Sequence, residues 1–168
     1  MVAIEALAER RGVDTDAAGV TLVPIGGAQA IGRFLGLYPR EVKLAGLCDA
    51  GEEPEFRRAL ERAGFGDDLT REALERLGFF TCEPDLEAEL IRAVGADEIL
   101  RVAEARGDLA SFRTLQKQPE WRERQIEEQL HRWLGSGGSR KIRYARFLVE
   151  ALELAAVPRP LDGVLAAV

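Results

Sequence analysis

The chain has 168 residues, a hydrophobic content of 46% and a formal net charge of -6. This length suits a single domain with a substantial core and excludes two domains of ordinary size. The sequence has no apolar run long enough for a membrane span and no leader typical of export, which predicts a cytoplasmic protein without a membrane partner. The negative charge argues against attraction of the whole molecule to nucleic acid.

Helices and strands alternate in the first half of the chain. The predicted order is helix Val2–Arg11, strand Val20–Ile25, helix Ala28–Leu37, strand Val42–Cys48, helices Pro54–Ala63 and Thr70–Leu77, and strand Leu77–Cys82. Short apolar runs bounded by turn residues are typical of strands that are buried on both faces. Strands separated by helices predict an α/β fold with a parallel sheet flanked by helices.

The second half of the chain has a helical pattern. The predicted helices are Asp85–Val94, Asp97–Arg106, Ile126–Leu134, Ser139–Ala156 and Leu161–Ala167, with a looser stretch between Asp108 and Pro119. Gly135–Gly138 is interpreted as a flexible linker that is too short to separate domains. We therefore predict a single domain over residues 1–168, with an α/β core at 1–94 and a helical extension at 95–168.

Carboxylates follow two of the predicted strands. Asp49 and Glu52 come after the strand that ends at Cys48, and Asp85 and Glu87 come after the strand that ends at Cys82. Functional sites in parallel α/β sheets lie beyond the carboxyl ends of the strands. The two acidic turns therefore predict one metal-binding rim.

Each of these acids also has a purely structural interpretation. Asp85 fits a helix N-cap, and Glu87 fits the preference of acids for the first turn of a helix. Glu52 likewise precedes a helix. Asp49 is harder to explain structurally, because a carboxylate directly after a buried strand needs a partner.

A basic segment follows the acidic half. Residues 129–149 contain no Asp or Glu, and Lys141 is predicted near the centre of the inward face of its helix. Such a lysine needs a carboxylate or a bound phosphate as partner, unless its chain simply extends past the edge of the core. Arg140, Arg143 and Arg146 are predicted to point outward, where they either contact a nucleic-acid backbone or only solvate the helix.

The cysteines and the histidine argue against a zinc site. Cys48 and Cys82 both end predicted buried strands, which favours small core residues over a disulfide or a zinc pair. His131 is the only histidine, which excludes a histidine-rich zinc site.

Several motifs taken together resemble the TOPRIM domain of the OLD (overcoming lysogenization defect) family of ATP-dependent endonucleases, in its OLD-like TOPRIM branch. The motifs are VPIGG at Val23, LAGLCDAGEE at Leu44, FFTCEPDLEAELI at Phe79, SFRTLQKQP at Ser111, GSRKIRYARFLVEAL at Gly138 and VPRPLDGVL at Val157. They cover nearly the whole chain, in the order and spacing of that family.

The resemblance implies a TOPRIM-like parallel sheet that holds Mg²⁺ or Mn²⁺ and cleaves DNA phosphodiesters in phage defence. It implies Asp49, Glu52, Asp85 and Glu87 as metal ligands, and Asp49, Glu87 and Lys141 as catalytic residues. An ABC-type ATPase domain or subunit is the implied partner, since the chain has no GxxxxGK[ST] loop of its own. Association with a second copy is left open.

The chain departs from the family pattern at two points. The first strand and its glutamate are absent, and Gly51 stands where the family usually has a second aspartate after Asp49. A catalytically inactive interaction module or a truncated remnant is therefore the alternative function. A receiver-like phosphoacceptor that uses Asp49 and Lys141 is a third.

Overall fold

The computed structural model describes residues 1–39 and 41–168 and is a mixed α/β structure. Strands β1 (Gly46–Asp49) and β2 (Phe79–Cys82) pair in parallel, with Gly46 opposite Phe79 and Asp49 opposite Cys82. The helices are α1 (Val2–Arg10), α2 (Ile31–Leu35), α3 (Glu53–Arg62), α4 (Arg71–Arg76), α5 (Leu86–Val94), α6 (Ala96–Ala105), α7 (Leu109–Gln116), α8 (Ile126–Gly135), α9 (Gly138–Ala151) and α10 (Arg159–Ala166). The predicted α/β class, with parallel strands flanked by helices, is confirmed.

Side-chain caps fix where the helices around the sheet begin. The Thr70 hydroxyl accepts a hydrogen bond from the backbone N–H of Ala73 at the start of α4. The Asp85 carboxylate accepts one from the N–H of Ala88 at the start of α5. Each cap satisfies a backbone donor that has no partner within its helix. The cap at Asp85 also brings the first turn of α5 next to the end of β2.

Two hydrophobic clusters hold the elements together. The larger one joins α1, α5 and helices of the second half, and its aromatic centre is Phe112, Trp133 and Tyr144. The smaller one packs α2, α3 and α4 against the sheet through residues such as Phe56, Leu60 and Phe79. No helix in the described part of the chain is long and apolar enough to cross a membrane.

The predicted strand Val20–Ile25 is not a strand. The segment is irregular, and Val23 is 42% exposed. A strand forms when its backbone groups pair with a neighbour, and the sheet that the structure describes consists of β1 and β2 alone. The other two predicted strands are confirmed in shorter form, because Val42–Ala45 and Leu77–Gly78 lie outside the ladder.

Two predictions about the helical half are also wrong. The stretch between Asp108 and Pro119 contains helix α7, which buries Phe112 and Leu115. The segment Gly135–Gly138 is a short turn, because Gly135 ends α8 and Gly138 begins α9. The cysteines agree with the prediction: Cys48 and Cys82 are buried free thiols.

Candidate functional site

Asp49 lies at the carboxyl end of β1 and is connected to both acidic turns. Its Oδ1 accepts a hydrogen bond from the backbone N–H of Leu86 at 3.3 Å, which joins the strand end to the start of α5. Its own N–H donates to Oε2 of Glu52 at 3.3 Å, and its carbonyl accepts from the N–H of Glu52 at 2.8 Å. Glu52 therefore closes the turn after β1.

Asp85 uses both of its carboxylate oxygens within the protein. Oδ1 caps α5 by accepting the Ala88 N–H at 2.8 Å, and Oδ2 lies 2.7 Å from Nε2 of His131 on α8. The cap confirms the structural interpretation of this residue. The contact with His131 was not predicted, because nothing in a sequence pattern relates a residue in one acidic turn to a helix that lies 46 positions further on.

Glu87 and Lys141 form an ion pair between the first turns of α5 and α9. Nζ of Lys141 lies 2.8 Å from Oε2 of Glu87, whose side chain is only 11% exposed. The predicted need of Lys141 for a carboxylate partner is confirmed. Its predicted place at the centre of a buried face is wrong, since the side chain is half exposed and the neighbouring Ile142 is 58% exposed. The buried face of α9 consists of Tyr144, Leu148 and Val149.

The charges of this cluster do not balance. Burial is the main cause that raises the pKa of Asp49; the N–H of Leu86 and the charge of Lys141 oppose it, and the charges of Asp85 and Glu87 add to it. For Lys141, partial burial acts to lower the pKa, but the hydrogen bond and charge of Glu87 and the charges of Asp49 and Asp85 outweigh it and raise the pKa. The cluster therefore has more carboxylates than Lys141 neutralises.

A cavity of about 710 Å³ opens beside these residues. Asp49, Glu52, Glu87 and Lys141 line it, together with the edge of β1 and the irregular segment Val20–Ile25. Most of its other walls are apolar. Asp85 is not part of the lining.

The three predicted nucleic-acid-binding arginines contact other parts of the protein. Arg140 does not point outward: its guanidinium donates to the Trp133 carbonyl at 2.9 Å and to the hydroxyls of Ser111 and Ser136, and it lies over the Trp133 ring. Arg143 lies 3.6 Å from Asp108, and Arg146 pairs with Glu9 and Glu150. Arg143 and Arg146 remain on the surface, where a phosphate could compete for them.

Glu53, next to Glu52, has a structural role. Its buried carboxylate pairs with Arg57 at 3.0 Å and with Arg71 at 2.6 Å, and Arg71 also contacts Glu83. These pairs hold α3, α4 and the turn after β2 together. Both carboxylate oxygens of Glu53 therefore have partners, and we do not assign it to the candidate site.

The donor chemistry of the cluster fits a hard divalent cation in part. Asp49 and Glu87 are oxygen ligands with excess negative charge, and Mg²⁺ in proteins is commonly held by one or two carboxylates together with water and substrate phosphate. Within the described part of the chain, however, no group of three or more His, Cys, Asp or Glu side chains is arranged to hold a metal ion. These residues therefore fit a metal ion that is also bound by water and a substrate phosphate. They do not form a site in which protein side chains supply all the ligands.

Comparison of the chain with protein-family models, curated proteins and solved structures finds no match. The class of protein is therefore defined by the structure alone: an α/β protein with an acidic cluster and one lysine at the end of a parallel strand. The family resemblance of the motifs remains a prediction.

Proposed function

We propose that the chain is a metal-dependent nuclease domain that hydrolyses DNA phosphodiesters together with an ABC-type ATPase domain or subunit, as in the OLD-like TOPRIM proteins that it resembles. The observation that supports this most is that Asp49, Glu87 and Lys141 all line one accessible cavity, where Lys141 and Glu87 form an ion pair. A cytoplasmic location belongs to the same proposal and is supported by the two buried free thiols.

In this proposal Asp49 and Glu87 hold Mg²⁺ or Mn²⁺, with Glu52 as a helper, since Asp85 is outside the cavity lining and both of its carboxylate oxygens have partners within the protein. The bound ion would supply charge neutralisation at the phosphate and an activated water. Lys141, already placed among carboxylates, offers its ammonium to a phosphate oxygen of the substrate. Asp85 keeps α5 in place by capping it, which fixes the position of Glu87. The surface arginines Arg143 and Arg146 contact the DNA backbone.

A nicking assay on supercoiled plasmid tests this proposal. We expect Mg²⁺- or Mn²⁺-dependent cleavage that Asp49→Ala reduces by about 100-fold or more, since a metal ligand is lost. Glu123→Ala, which removes a carboxylate that is 85% exposed and pairs with its neighbour Arg122, is the matched control and should cleave normally. Cleavage that survives in Asp49→Ala would disprove the assignment of the site.

The second candidate is a non-catalytic interaction module, and the absence of a preassembled set of three metal ligands among the described residues favours it. Calorimetric titration with Mn²⁺ separates the two functions. A wild-type chain that neither binds Mn²⁺ nor cleaves DNA, alone or with its ATPase partner, would support the interaction module. Binding that Asp49→Ala removes would support the nuclease.

A further inference from the structure

In the described part of the chain, one edge of strand β1 has no strand beside it. The N–H of Gly46 donates to the Gly78 carbonyl and the N–H of Ala50 donates to the Cys82 carbonyl, both at 3.0 Å. In a parallel ladder alternate residues direct their backbone groups to the same side, so the groups of Leu47 face away from β2. Asp49 also faces away, but Glu52 occupies its N–H and carbonyl. The backbone of Leu47 is therefore left without a strand partner among the described residues.

The unpaired edge faces the cavity. Residues 46–49 line one wall of this space of about 710 Å³, and Val20–Ile25, Met1 and Ile4 line other parts of it. A pair of strands is marginally stable alone, and parallel sheets are normally covered on both faces. The cavity thus leaves room for another strand beside β1, and residues 1–39 and 41–168 supply none.

We propose that this cavity is a docking groove for one extended, apolar segment of a partner polypeptide, which adds to β1 as a third parallel strand. The N–H and carbonyl of Leu47 are a hydrogen-bond donor and acceptor at the spacing that a neighbouring strand matches. A lipid or another small apolar ligand cannot form both of these hydrogen bonds. Most of the lining is apolar and selects apolar side chains, and its charged members are Lys43, Asp49, Glu52, Glu87 and Lys141. A segment of about four to six residues matches the length of β1.

This proposal does not depend on nuclease activity, because it uses the backbone edge and the apolar walls. The probe is an acetylated, amidated peptide with five alternating valine and isoleucine residues between two lysines. The readout is the hydrogen exchange of the Leu47 amide in the ¹⁵N-labelled chain. We expect fast exchange in the free protein, and exchange slower by roughly tenfold when the peptide is about tenfold above its Kd.

Two matched pairs of probes make the test specific. The peptide N-methylated on the residues that face β1 should not protect Leu47, whereas the peptide N-methylated on the alternate residues should. Val23→Lys places a charge on the wall of the groove and should lower the affinity for the peptide by about tenfold or more. Val13→Lys changes a similarly exposed valine outside the groove and should leave the affinity unchanged.

Three results would overturn the proposal. The first is a Leu47 amide that stays unprotected at millimolar peptide, and the second is equal protection by both N-methylated peptides. The third is a Leu47 amide that is already protected in the free chain, which would show that Val20–Ile25 itself pairs with β1 in solution. Each result is read on a single amide, so binding of the peptide elsewhere on the surface does not count as support.

Discussion

The ammonium of Lys141 and the carboxylate of Glu87 lie 2.8 Å apart and join the first turn of α9 to the first turn of α5. Glu87 is nearly buried, whereas Lys141 is half exposed. The pair therefore has an asymmetric role: removal of the lysine leaves a buried carboxylate without its partner, whereas removal of the acid leaves an ammonium that water can still solvate.

The first prediction concerns this asymmetry. Lys141→Ala should lower the free energy of unfolding by about 1 kcal/mol or more, and Glu87→Gln should cost less. The double variant should cost less than the sum of the two, since the unpaired carboxylate is gone. Urea unfolding of the wild type, the two single variants and the double variant measures the coupling free energy between Lys141 and Glu87. Losses of stability that simply add in the double variant would contradict the prediction.

The same pair has a defined dependence on pH. The folded state raises the pKa of Lys141, so the stabilisation is fully present below the ordinary lysine value of about 10.4 and is lost as the pH rises through the folded value. The destabilisation by Lys141→Ala should therefore be constant between pH 7 and 9 and shrink above about pH 11. Lys141→Arg, which keeps a cation at these pH values, is the control.

Sequence patterns predicted helices and caps of this molecule better than they predicted which strands pair with one another. The helical periodicity over Val2–Arg11 and the cap at Asp85 depend on neighbours in the chain, and both agree with the structure. The strand predicted at Val20–Ile25 depends on a partner that its composition does not specify, and it is irregular. Local propensity sets which strands are possible, and tertiary contacts decide which of them form.

The same limit applies to the candidate site. The positions of Asp49 and Asp85 after apolar runs predicted that they would lie near one another, and Leu86 does contact Asp49. The periodicity of α9 could not predict that Arg140 folds back onto Trp133, because a long side chain chooses among contacts that only the packed structure provides. The contact of His131 with Asp85 is unpredictable for the same reason.

The second prediction is that Asp49 lowers stability at neutral pH. Burial and the neighbouring acids raise its pKa, so the folded state binds the proton more tightly than the unfolded state. Its ionised form therefore opposes folding above the raised value, and this penalty disappears below the unfolded value of about 3.9. Asp49→Asn should raise Tm near pH 7, and the gain should vanish by about pH 3.5.

A change of about 1 kcal/mol corresponds to roughly 2–4 °C in Tm for a chain of this size, which calorimetry resolves easily. Asp16→Asn, at an exposed position outside the cavity, is the matched control and should leave Tm nearly unchanged. A lower Tm for Asp49→Asn at pH 7 would contradict this prediction. A gain in stability combined with lost cleavage would indicate a residue kept for function.

The third prediction separates the two roles of Asp85. Asp85→Ala removes the cap of α5 and should cost about 1 kcal/mol. Asp85→Ser keeps a cap oxygen but loses the contact with His131, so most of the stability should return. If Asp85 also helps to hold a metal ion, Asp85→Ser should still reduce Mn²⁺ affinity in a calorimetric titration. Affinity equal to wild type would limit this residue to the cap.

The fourth prediction distinguishes the arginines of α9. Arg140 satisfies the Trp133 carbonyl and two hydroxyls, so Arg140→Ala should destabilise the fold by about 1–2 kcal/mol. Arg146 pairs with exposed acids, and Arg146→Ala should leave stability nearly unchanged. If the surface arginines contact DNA, Arg143→Ala and Arg146→Ala should each lower the affinity for DNA by a similar factor for every DNA sequence.

Each of these two variants should also reduce the slope of log affinity against log salt by about 1, because one phosphate contact is lost. Fluorescence anisotropy with two unrelated duplexes of equal length, over a series of salt concentrations, measures both effects. Arg101→Ala, which removes an exposed arginine on α6 that pairs with Glu98, is the control for the change in net charge. An equal loss of affinity in the control would show that the effect comes from total charge, and the assignment of the α9 surface to DNA would then be wrong.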